Sequence, residues 1–381
     1  MLRIVQITAD DRTQLGLFDQ TQPCFGTAPA ALIDGFKEIP DVEIHVISCA
    51  TKQMLSPVKL AENIWFHQPI IGKWGWGRSM FLGTTLSVKK LIQKINPDIV
   101  HGQGTERNCA IAAVCSGRPN LITIHGNMRV HAKMPDNGNQ PYYLMAAFLE
   151  KVCLKNTNGV VAISKYTEDL IKNIATKSWI IPNAVDARYF DVAHQQQEIP
   201  RILFVGSMNR RKNPIGLVRA CRDLLKSGKC TIAFAGRGNP DSDYMNEFHR
   251  ESNDLPGIDL LGHIDRDQLT KELARSSMLI LPTFEDNCPM VLLEAMAAGV
   301  AVAASRVGGV PEIIDHEVNG LLFDPSNMEE ICACADRLIS NISLRDRLGA
   351  SGREKALTTF HPRVIAMQHI KIYREILDRT K

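Results

Sequence analysis

At 381 residues, the chain is long enough to form two domains of ordinary size, each with its own hydrophobic core. Hydrophobic residues make up 45% of it and charged residues 22%, which is typical of a globular protein and excludes a low-complexity or disordered chain. The formal net charge of +3 is too small to indicate a nucleic-acid-binding protein.

The charge is unevenly distributed along the chain. Residues 1–185 hold 19 Lys and Arg against 14 Asp and Glu, whereas the remainder is slightly acidic. The basic first half either attracts a phosphate-bearing acceptor or a membrane surface, or its excess of positive charge is ordinary surface scatter. No apolar run approaches the roughly 20 residues of a membrane span, and MLRIVQITAD is a strand pattern rather than a signal peptide. We therefore expect a cytoplasmic protein, with peripheral contact at the inner membrane face as the alternative.

The first half alternates strand and helix patterns, which predicts a mainly parallel, doubly wound sheet. Gly26 and Thr27 stand at the start of the first helix, where backbone N–H groups meet a phosphate or acceptor, or simply begin a helix. His125 ends the strand pattern LITIH at the sheet edge where ligands bind, and is either a site residue or a structural histidine. The tryptophan- and glycine-rich stretch 57–80 either touches an acceptor or packs in the core.

Composition turns polar over residues 186–200, which predicts the linker between two domains, and a second alternating unit follows over 201–361. Its first strand, RILFVGS, leads to Arg210, Arg211 and Lys212 just before a helix. Cations beside a helix N-terminus are suited to bind a diphosphate, and a solvated basic loop is the alternative. The final helix pattern, from residue 362, has an apolar face wide enough to pack on a large surface.

The stretch Leu281–Ile314 is the most informative part of the second half. A buried strand ends at Glu285 and Asp286, Pro289 occupies the first helical position, and Glu294 lies on the second helical turn. A carboxylate that accepts hydrogen bonds from two vicinal hydroxyls is the usual way to hold a ribose. Two acids in this arrangement, with cations for a diphosphate between them, fit a nucleotide sugar.

These segments resemble those of GT-B glycosyltransferases, in the large retaining group (family 4) that includes sucrose and glycogen synthases and bacterial polysaccharide mannosyl- and glucosyltransferases. The resemblance covers nearly the whole chain. It implies an α/β fold of two Rossmann-like, doubly wound parallel-sheet domains that face each other across a cleft. Residues 1–185 would form the acceptor side, with the helix 362–381 packed back on it, and residues 201–361 would bind the donor. The matching segments are PDIVHGQG, ITIHGN, VVAISKYT, IIPNAVDARYF, ILFVGSMNRRKNP, IAFAGRG, IDLLGHI, LPTFEDNCPMVLLEAMAAGVAVAAS and VGGVPEII.

The resemblance also implies roles for individual residues. Glu294 would bind the nucleotide ribose, Asp286 or Glu285 the donor sugar and Lys212 the diphosphate, and His125 would lie near the donor sugar. Ser207 stands where many members have an arginine, so Arg210 or Arg211 would replace it. Of two adjacent glycines in the N-terminal loop of the group, only Gly26 remains, followed by Thr27. Further implied donor-binding positions are Gly206, Ser207, Gly236, Gly262, His263, Pro289, Met290 and Val291.

The expected reaction is retaining transfer of a sugar from a nucleoside-diphosphate sugar to a hydroxyl acceptor, in polysaccharide, glycolipid or other glycoconjugate biosynthesis. A UDP-sugar is the first expectation for the donor and a GDP-sugar the next, and no cofactor or metal is expected. Asp241 and Asp243 imitate a metal-binding acid pair, but they fall in a polar loop rather than beside a strand. Two rival hypotheses are a nucleotide-sugar 2-epimerase and a non-catalytic nucleotide-sugar-binding subunit, the latter suggested by Ser207 and by the shifted acids Glu285 and Asp286.

Overall fold

The computed structural model describes residues 1–133, 140–195 and 197–380. These residues form two compact units, one of residues 1–184 together with the C-terminal segment from Pro362, and one of residues 185–361. In the described part of the chain, no helix combines the length and the apolar character needed to cross a membrane.

The first unit is built on eight strands within the described residues, and helices connect most of them. The strands are β1 (Leu2–Ile7), β2 (Val42–Ile47), β3 (Lys59–Ala61), β4 (Ile64–His67), β5 (Ile99–Gln103), β6 (Asn120–Ile124), β7 (Val160–Ala162) and β8 (Ser178–Ile180). The helices are α1 (Arg12–Leu15), α2 (Thr27–Lys37), α3 (Leu82–Ile95), α4 (Cys109–Val114), α5 (Met128–His131), α6 (Pro141–Asn156) and α7 (Lys165–Ile171).

The strand order of this sheet is β3-β4-β2-β1-β5-β6-β7-β8, and every pair is parallel except β3 with β4. The chain leaves β1 toward β2 and later resumes at β5 on the other side of β1, so the sheet has its topological switch point between β1 and β5. Successive side chains point to opposite faces. Ile4 accordingly joins a core cluster with α2, and Val5 joins one with α3 and α4.

The second unit repeats this plan with a six-stranded parallel sheet in the described residues, in the order β11-β10-β9-β12-β13-β14. The switch point therefore lies between β9 and β12, which are neighbours although β10 and β11 intervene in sequence. The strands are β9 (Arg201–Val205), β10 (Thr231–Ala235), β11 (Ile258–Gly262), β12 (Met278–Leu281), β13 (Ala301–Ser305) and β14 (Leu321–Phe323). The helices are α8 (Pro214–Ala220), α9 (Arg222–Lys226), α10 (Asp243–Ser252), α11 (Arg266–Arg275), α12 (Met290–Ala297), α13 (Val310–Ile313), α14 (Met328–Ser340) and α15 (Ile342–Lys355).

The last helix, α16 (Pro362–Thr380), belongs to the first unit and packs on α2. Its buried face includes Ile365, Ile370 and Tyr373, which extend the cluster around Ile4. Gly35 of α2 makes the close approach possible, because a Cβ there would lie 2.1 Å from the carbonyl oxygen of Pro362. Lys381, the end of the predicted segment, lies outside the described residues.

Residues 186–200, predicted as the linker, group with the second unit. Tyr189 and Phe190, within a 3-10 helix over Ala187–Asp191, are buried. The guanidinium of Arg353 donates to the carbonyl oxygen of Phe190 at 2.5 Å. The ring of His194 hydrogen bonds to the carbonyl oxygen of Ala298 at 2.6 Å. The polar composition of the segment gave no indication that these two aromatic side chains are buried within the second unit. Gln196 lies outside the described residues.

Candidate functional site

Two loops meet at the switch point of the second sheet. The loop after β9 and the loop after β12 are joined through Arg211, whose carbonyl oxygen accepts from Phe284 N at 2.8 Å and from Thr283 Oγ1 at 3.1 Å. Thr283 Oγ1 also lies 2.9 Å from the carbonyl oxygen of Glu285. Because β9 and β12 are adjacent and parallel, both loops lie at the same edge of the sheet, where open α/β sheets bind ligands.

The centre of this loop pair is an ion pair between Lys212 Nζ and Asp286 Oδ2. Both side chains are largely buried, with 13% and 14% of their surfaces exposed. Lys212 N also donates to Asn209 Oδ1 at 3.0 Å, which fixes the backbone that carries the ammonium group. The ammonium is therefore held at the sheet edge by an anion, a partner that an incoming phosphate oxygen is able to replace.

The structure separates the two neighbouring arginines. Arg211 Nη1 donates to the carbonyl oxygen of Glu285 at 2.8 Å and lies 3.6 Å from its carboxylate, beside the Lys212–Asp286 pair. The guanidinium carbon of Arg210 lies 5.6 Å from the ring centroid of Tyr244, in a cation–π contact. Of the two arginines that the sequence left open, Arg211 is thus the one placed with the lysine.

The Gly308-Gly309 turn packs directly on Asp286. Gly309 N donates to the carbonyl oxygen of Asp286 at 3.1 Å. Gly308 has a φ of +53°, and a Cβ there would lie 1.9 Å from the same oxygen. A glycine is required at this position both for its backbone conformation and for the close approach.

Three glycines predicted to bind the donor line the ends of neighbouring strands. Gly206 N donates to the carbonyl oxygen of Ala235 at 2.9 Å, and Gly236 N donates to that of Gly262 at 2.7 Å. A Cβ on Gly236 would lie 1.8 Å from the carbonyl oxygen of Gly206, so this glycine is a packing requirement. Ser207, Gly262 and His263 are exposed at the same edge.

Glu294 is a buried carboxylic acid on α12, with 4% of the residue exposed. Burial is the main cause that raises its pKa to about 7. The positive charge of Arg266 lowers the pKa, and the negative charge of Asp186 raises it further. Burial and the nearby Glu294 together raise the pKa of the Tyr189 hydroxyl. A buried carboxyl group whose pKa is raised in this way is a candidate functional residue.

The helix that carries Glu294 begins one residue later than predicted, because Pro289 is its N-cap and Met290 its first residue. Met290 is half-buried and Val291 is buried. Gly299 follows the helix with a φ of +76°, the left-handed conformation expected after a helix end.

His125 lies in the first unit, directly after β6, and starts a chain of buried hydrogen bonds. Its Nε2 lies 3.0 Å from Gln103 Oε1, and Gln103 Nε2 donates to Gln6 Oε1 at 2.9 Å. Gln6 Nε2 then donates to the Tyr373 hydroxyl at 2.7 Å. The same hydroxyl oxygen lies 2.7 Å from His101 Nδ1. When the two glutamine amides are oriented so that every donor meets an acceptor, Gln103 Oε1 has to accept from His125. The proton of His125 therefore lies on Nε2.

The same environment keeps these histidines neutral. Burial lowers the pKa of His125 to about 4, despite a hydrogen bond with Asn183 that raises it. Burial also lowers the pKa of His101 well below its usual value, helped by the neighbouring His369. At neutral pH, His125 is therefore a neutral ring with a fixed tautomer, suited to hydrogen bonding rather than to charge stabilisation.

Gly26 and Thr27 lie at the start of α2, in the first unit. Gly26 is the N-cap residue with a φ of −52°, and a Cβ there would meet only Pro29 Cδ, at 3.7 Å. The local backbone does not require glycine at this position. A role of Gly26 and Thr27 toward phosphate or acceptor stays a prediction.

Asp243 has a local structural role at the start of α10. Ser242, between Asp241 and Asp243, is the N-cap of α10 and accepts a hydrogen bond from Met245 N at 3.2 Å. Asp243 is the first helical residue, where a negative charge interacts favourably with the helix dipole.

Sequence reasoning missed the surroundings of Glu294 and of His125. Asp186, Tyr189 and Arg266 are far from Glu294 in sequence, and the first two lie in the segment read as a linker. The aromatic pair Tyr189-Phe190, within that polar stretch, was the available signal. Gln103 follows His101 on a buried strand, where two polar residues in alternation point to one face and indicate a buried polar network.

Comparisons with known proteins agree with this architecture. The family described as Glycosyltransferase Family 4 matches residues 32–189, and the one described as Glycosyl transferases group 1 matches residues 188–355. An uncharacterized glycosyltransferase of Methanocaldococcus jannaschii is 25% identical over 90% of this chain and 92% of its own length. Two solved structures have similar folds: sucrose-phosphate synthase from Thermosynechococcus elongatus (TM-score 0.77, 18% identity, 100% of both chains) and Anabaena HepE in complex with UDP and glucose (TM-score 0.69, 18% identity, 98% of this chain and 99% of that one).

Proposed function

We propose that the chain is a glycosyltransferase that transfers a sugar from a nucleoside-diphosphate sugar to a hydroxyl acceptor with retention at the anomeric carbon. The proposal is supported by the two glycosyltransferase family models that match residues 32–189 and 188–355, and by the fold that the chain shares with sucrose-phosphate synthase. The observation that carries the proposal is the Lys212–Asp286 ion pair at the switch point of the second sheet. The binding of UDP and glucose by HepE, which shares the fold, supports a nucleotide sugar as the donor.

In this mechanism the donor diphosphate displaces Asp286 from Lys212. The bond between the anomeric carbon and the phosphate oxygen breaks, and negative charge grows on the departing nucleoside diphosphate. Lys212 and Arg211, which lie on the same loop, stabilise that charge without a metal ion. The released Asp286 carboxylate is then free to accept hydrogen bonds from hydroxyl groups of the donor sugar.

Glu294 binds the ribose. In its ionised form the carboxylate accepts from both vicinal hydroxyls, and the buried site makes these charge-assisted bonds stronger than in water. For His125, the position near the donor sugar that the family resemblance implies stays a prediction. The acceptor oxygen forms the new bond to the anomeric carbon on the face that the phosphate leaves, and its proton passes to the leaving phosphate oxygen.

Replacement of the lysine tests this proposal. Lys212→Ala should lower turnover at saturating donor by about 10²–10³-fold, the range for loss of one group that stabilises a transition-state charge. Lys212→Arg should recover part of the rate, because it restores a cation. Release of nucleoside diphosphate is the measurement, and circular dichroism controls for folding. A fully active Lys212→Ala enzyme would contradict the role of the lysine.

The two rival hypotheses predict different products. A 2-epimerase would convert the donor without an acceptor and would transfer no sugar. A non-catalytic subunit would bind the donor and leave it intact. Incubation with a labelled donor, in the presence and absence of an acceptor panel, distinguishes all three by the fate of the label.

A further inference from the structure

A small cavity of about 10 Å³ lies inside the first unit, between the sheet and α16. The polar residues of its wall are Gln103, Thr123, His125, Asn183 and His369, and the other wall residues are apolar. A volume of about 10–15 Å³ is the least that holds one water molecule, which also needs two to four polar partners. The cavity therefore has the size and the polarity of a site for a single water.

The first group that needs a partner in this cavity is Nε2 of His369, a residue that is 3% exposed. Burial lowers the pKa of His369 to about 4, although its hydrogen bond to Ile365 raises it, so the ring is neutral. Its Nδ1 lies 2.9 Å from the carbonyl oxygen of Ile365. Because a carbonyl oxygen only accepts, the ring proton lies on Nδ1 and Nε2 is an acceptor. Among the described residues, Nε2 has no hydrogen-bond partner.

The second group is the hydroxyl of Thr123, whose role follows from the protons of its neighbours. The Tyr373 hydroxyl accepts from Gln6 Nε2 and gives its own proton to His101 Nδ1. The neutral ring of His101 then carries its proton on Nε2 and donates to Thr123 Oγ1 at 2.7 Å. This is the one hydrogen bond that the Thr123 hydroxyl makes with the described residues, and Thr123 is the acceptor in it. The hydrogen of the Thr123 hydroxyl therefore still needs an acceptor.

Thr123 and His369 thus present one unused donor and one unused acceptor to the same cavity. Buried polar groups in proteins are nearly always paired, either with other protein groups or with ordered water. A water molecule is both donor and acceptor, so it satisfies the two groups at once. The amide of Asn183, on the same wall, offers a donor and an acceptor for the remaining hydrogen or lone pair of the water.

We infer that one structural water molecule is bound in this cavity, where it accepts a hydrogen bond from Thr123 Oγ1 and donates one to His369 Nε2. The inference goes beyond the proposed function and does not depend on it, because it follows from the donors and acceptors of the first unit alone.

The water completes a series of hydrogen bonds in which every donor points the same way. From His125 the series passes through Gln103, Gln6, Tyr373, His101, Thr123 and the water to His369 and the carbonyl oxygen of Ile365. A carbonyl oxygen cannot donate, so the series cannot reverse its direction. The water is therefore the link through which α16 fixes the proton of His125 on Nε2.

A high-resolution crystal structure and ¹⁵N NMR of the full chain test the inference on the wild-type protein. The electron density should contain one ordered water about 2.7–3.2 Å from both Thr123 Oγ1 and His369 Nε2. The ring nitrogen shifts should identify His369 as the Nδ1–H tautomer and His101 as the Nε2–H tautomer. Well-defined density without a water peak in the cavity, or a His369 ring protonated on Nε2, would overturn the inference.

Two substitutions of Thr123 separate the hydroxyl from the shape of the side chain. Thr123→Ser keeps the hydroxyl and should keep the water. Thr123→Val keeps the shape without the hydroxyl, so the water should disappear from the crystal structure. A water that stays in the Thr123→Val variant would show that it does not depend on Thr123 and would contradict the assigned contact.

A double-mutant cycle shows whether the two groups share one water in solution. Thr123→Val and His369→Phe should each raise the unfolding equilibrium constant by about tenfold, because each leaves a buried group without its partner. Since both substitutions remove the same water, the double variant should fall well short of the roughly hundredfold product expected for independent sites. Urea unfolding is followed through the ring signals of His101, which report on the first unit.

The matched control for this cycle is Thr85→Val, which makes the same chemical change on α3, away from the cavity wall. Its effect on the unfolding equilibrium constant, whatever its size, should multiply with that of His369→Phe. If Thr123→Val also multiplies fully with His369→Phe, the two residues do not share a water and the inference fails.

Discussion

At the scale of single residues, Glu294 connects burial to pH dependence. Its folded-state pKa of about 7 lies above the ordinary value of 4.5. The folded state therefore binds more protons than the unfolded state between these values, and the contribution of Glu294 to the free energy of unfolding falls as the pH rises from about 4.5 to about 7. Above that range the carboxylate is ionised, which is the form that the proposed ribose contact requires.

We accordingly expect nucleotide binding by the wild type to tighten by about tenfold between pH 6 and pH 8, as Glu294 loses its proton. Glu294→Gln should weaken binding at pH 8 by about 1.5–3 kcal/mol, the value of hydrogen bonds to a charged group. Titration of the diphosphate affects both proteins equally, so the wild-type-to-variant ratio of dissociation constants is the measured quantity. A ratio that does not change with pH would exclude Glu294 as the titrating ribose ligand.

The two acids after β12 differ in what they contact. The carboxylate of Asp286 pairs with Lys212, whereas Glu285 offers mainly its carbonyl oxygen to Arg211. Asp286→Asn should therefore lower kcat/KM for the donor by about ten- to a hundredfold, through lost charge-assisted hydrogen bonds to the sugar. Glu285→Gln should change it by less than about threefold. Steady-state kinetics with varied donor decides, and the reverse order of effects would assign the sugar to Glu285.

At the scale of elements, α16 is joined to the first sheet by side-chain hydrogen bonds as well as by packing. Its Tyr373 connects Gln6 of β1 with His101 of β5, and Gln103 extends this connection to His125. Burial raises the pKa of the Tyr373 hydroxyl and so keeps it a donor, and the neutral His101 ring accepts from it. A helix from the C-terminus thus helps fix the tautomer of a predicted site residue.

Tyr373→Phe should destabilise the protein by about 1–3 kcal/mol, because Gln6 and His101 each lose a buried partner. The imidazole ¹⁵N shifts of His101 should change as well, which simple loss of packing would not cause. The matched control is Tyr189→Phe, since the buried Tyr189 hydroxyl has no hydrogen-bond partner among the described residues. That change should be neutral or slightly stabilising in chemical denaturation. Equal losses in both variants would mean that the hydroxyl network contributes nothing.

At the scale of the whole molecule, two similar sheets have different side chains at equivalent positions. Each has its switch point beside its first strand. The second unit has Lys212, Arg211 and Asp286 there, whereas the first has a cavity of about 330 Å³ lined by residues that include Thr8, Asp10 and Asn108. The same architecture therefore presents different side chains at the equivalent positions of its two sheets.

Nucleoside diphosphates should accordingly stabilise the whole chain. A ligand that binds only the folded state adds about 2.7 kcal/mol at a hundred times its dissociation constant. A thermal-shift screen should show the largest rise in melting temperature with UDP and the next largest with GDP, and Glu294→Gln should reduce both. If no nucleoside diphosphate raises the melting temperature, the donor assignment fails.

The sequence by itself determined the alternating α/β plan, because strand and helix periodicities are local properties of the chain. The succession of a buried strand, two acids and a helix bearing Glu294 was equally local. The structure has the helix start within one residue of its predicted place, whereas the strand ends at Leu281, before the two acids. Tertiary structure alone decided how residues distant in sequence meet. It paired Lys212 with Asp286, placed Arg211 rather than Arg210 beside them, and packed the presumed linker against the second unit. These outcomes depend on strand order and on side-chain burial, which the order of residues along the chain does not specify.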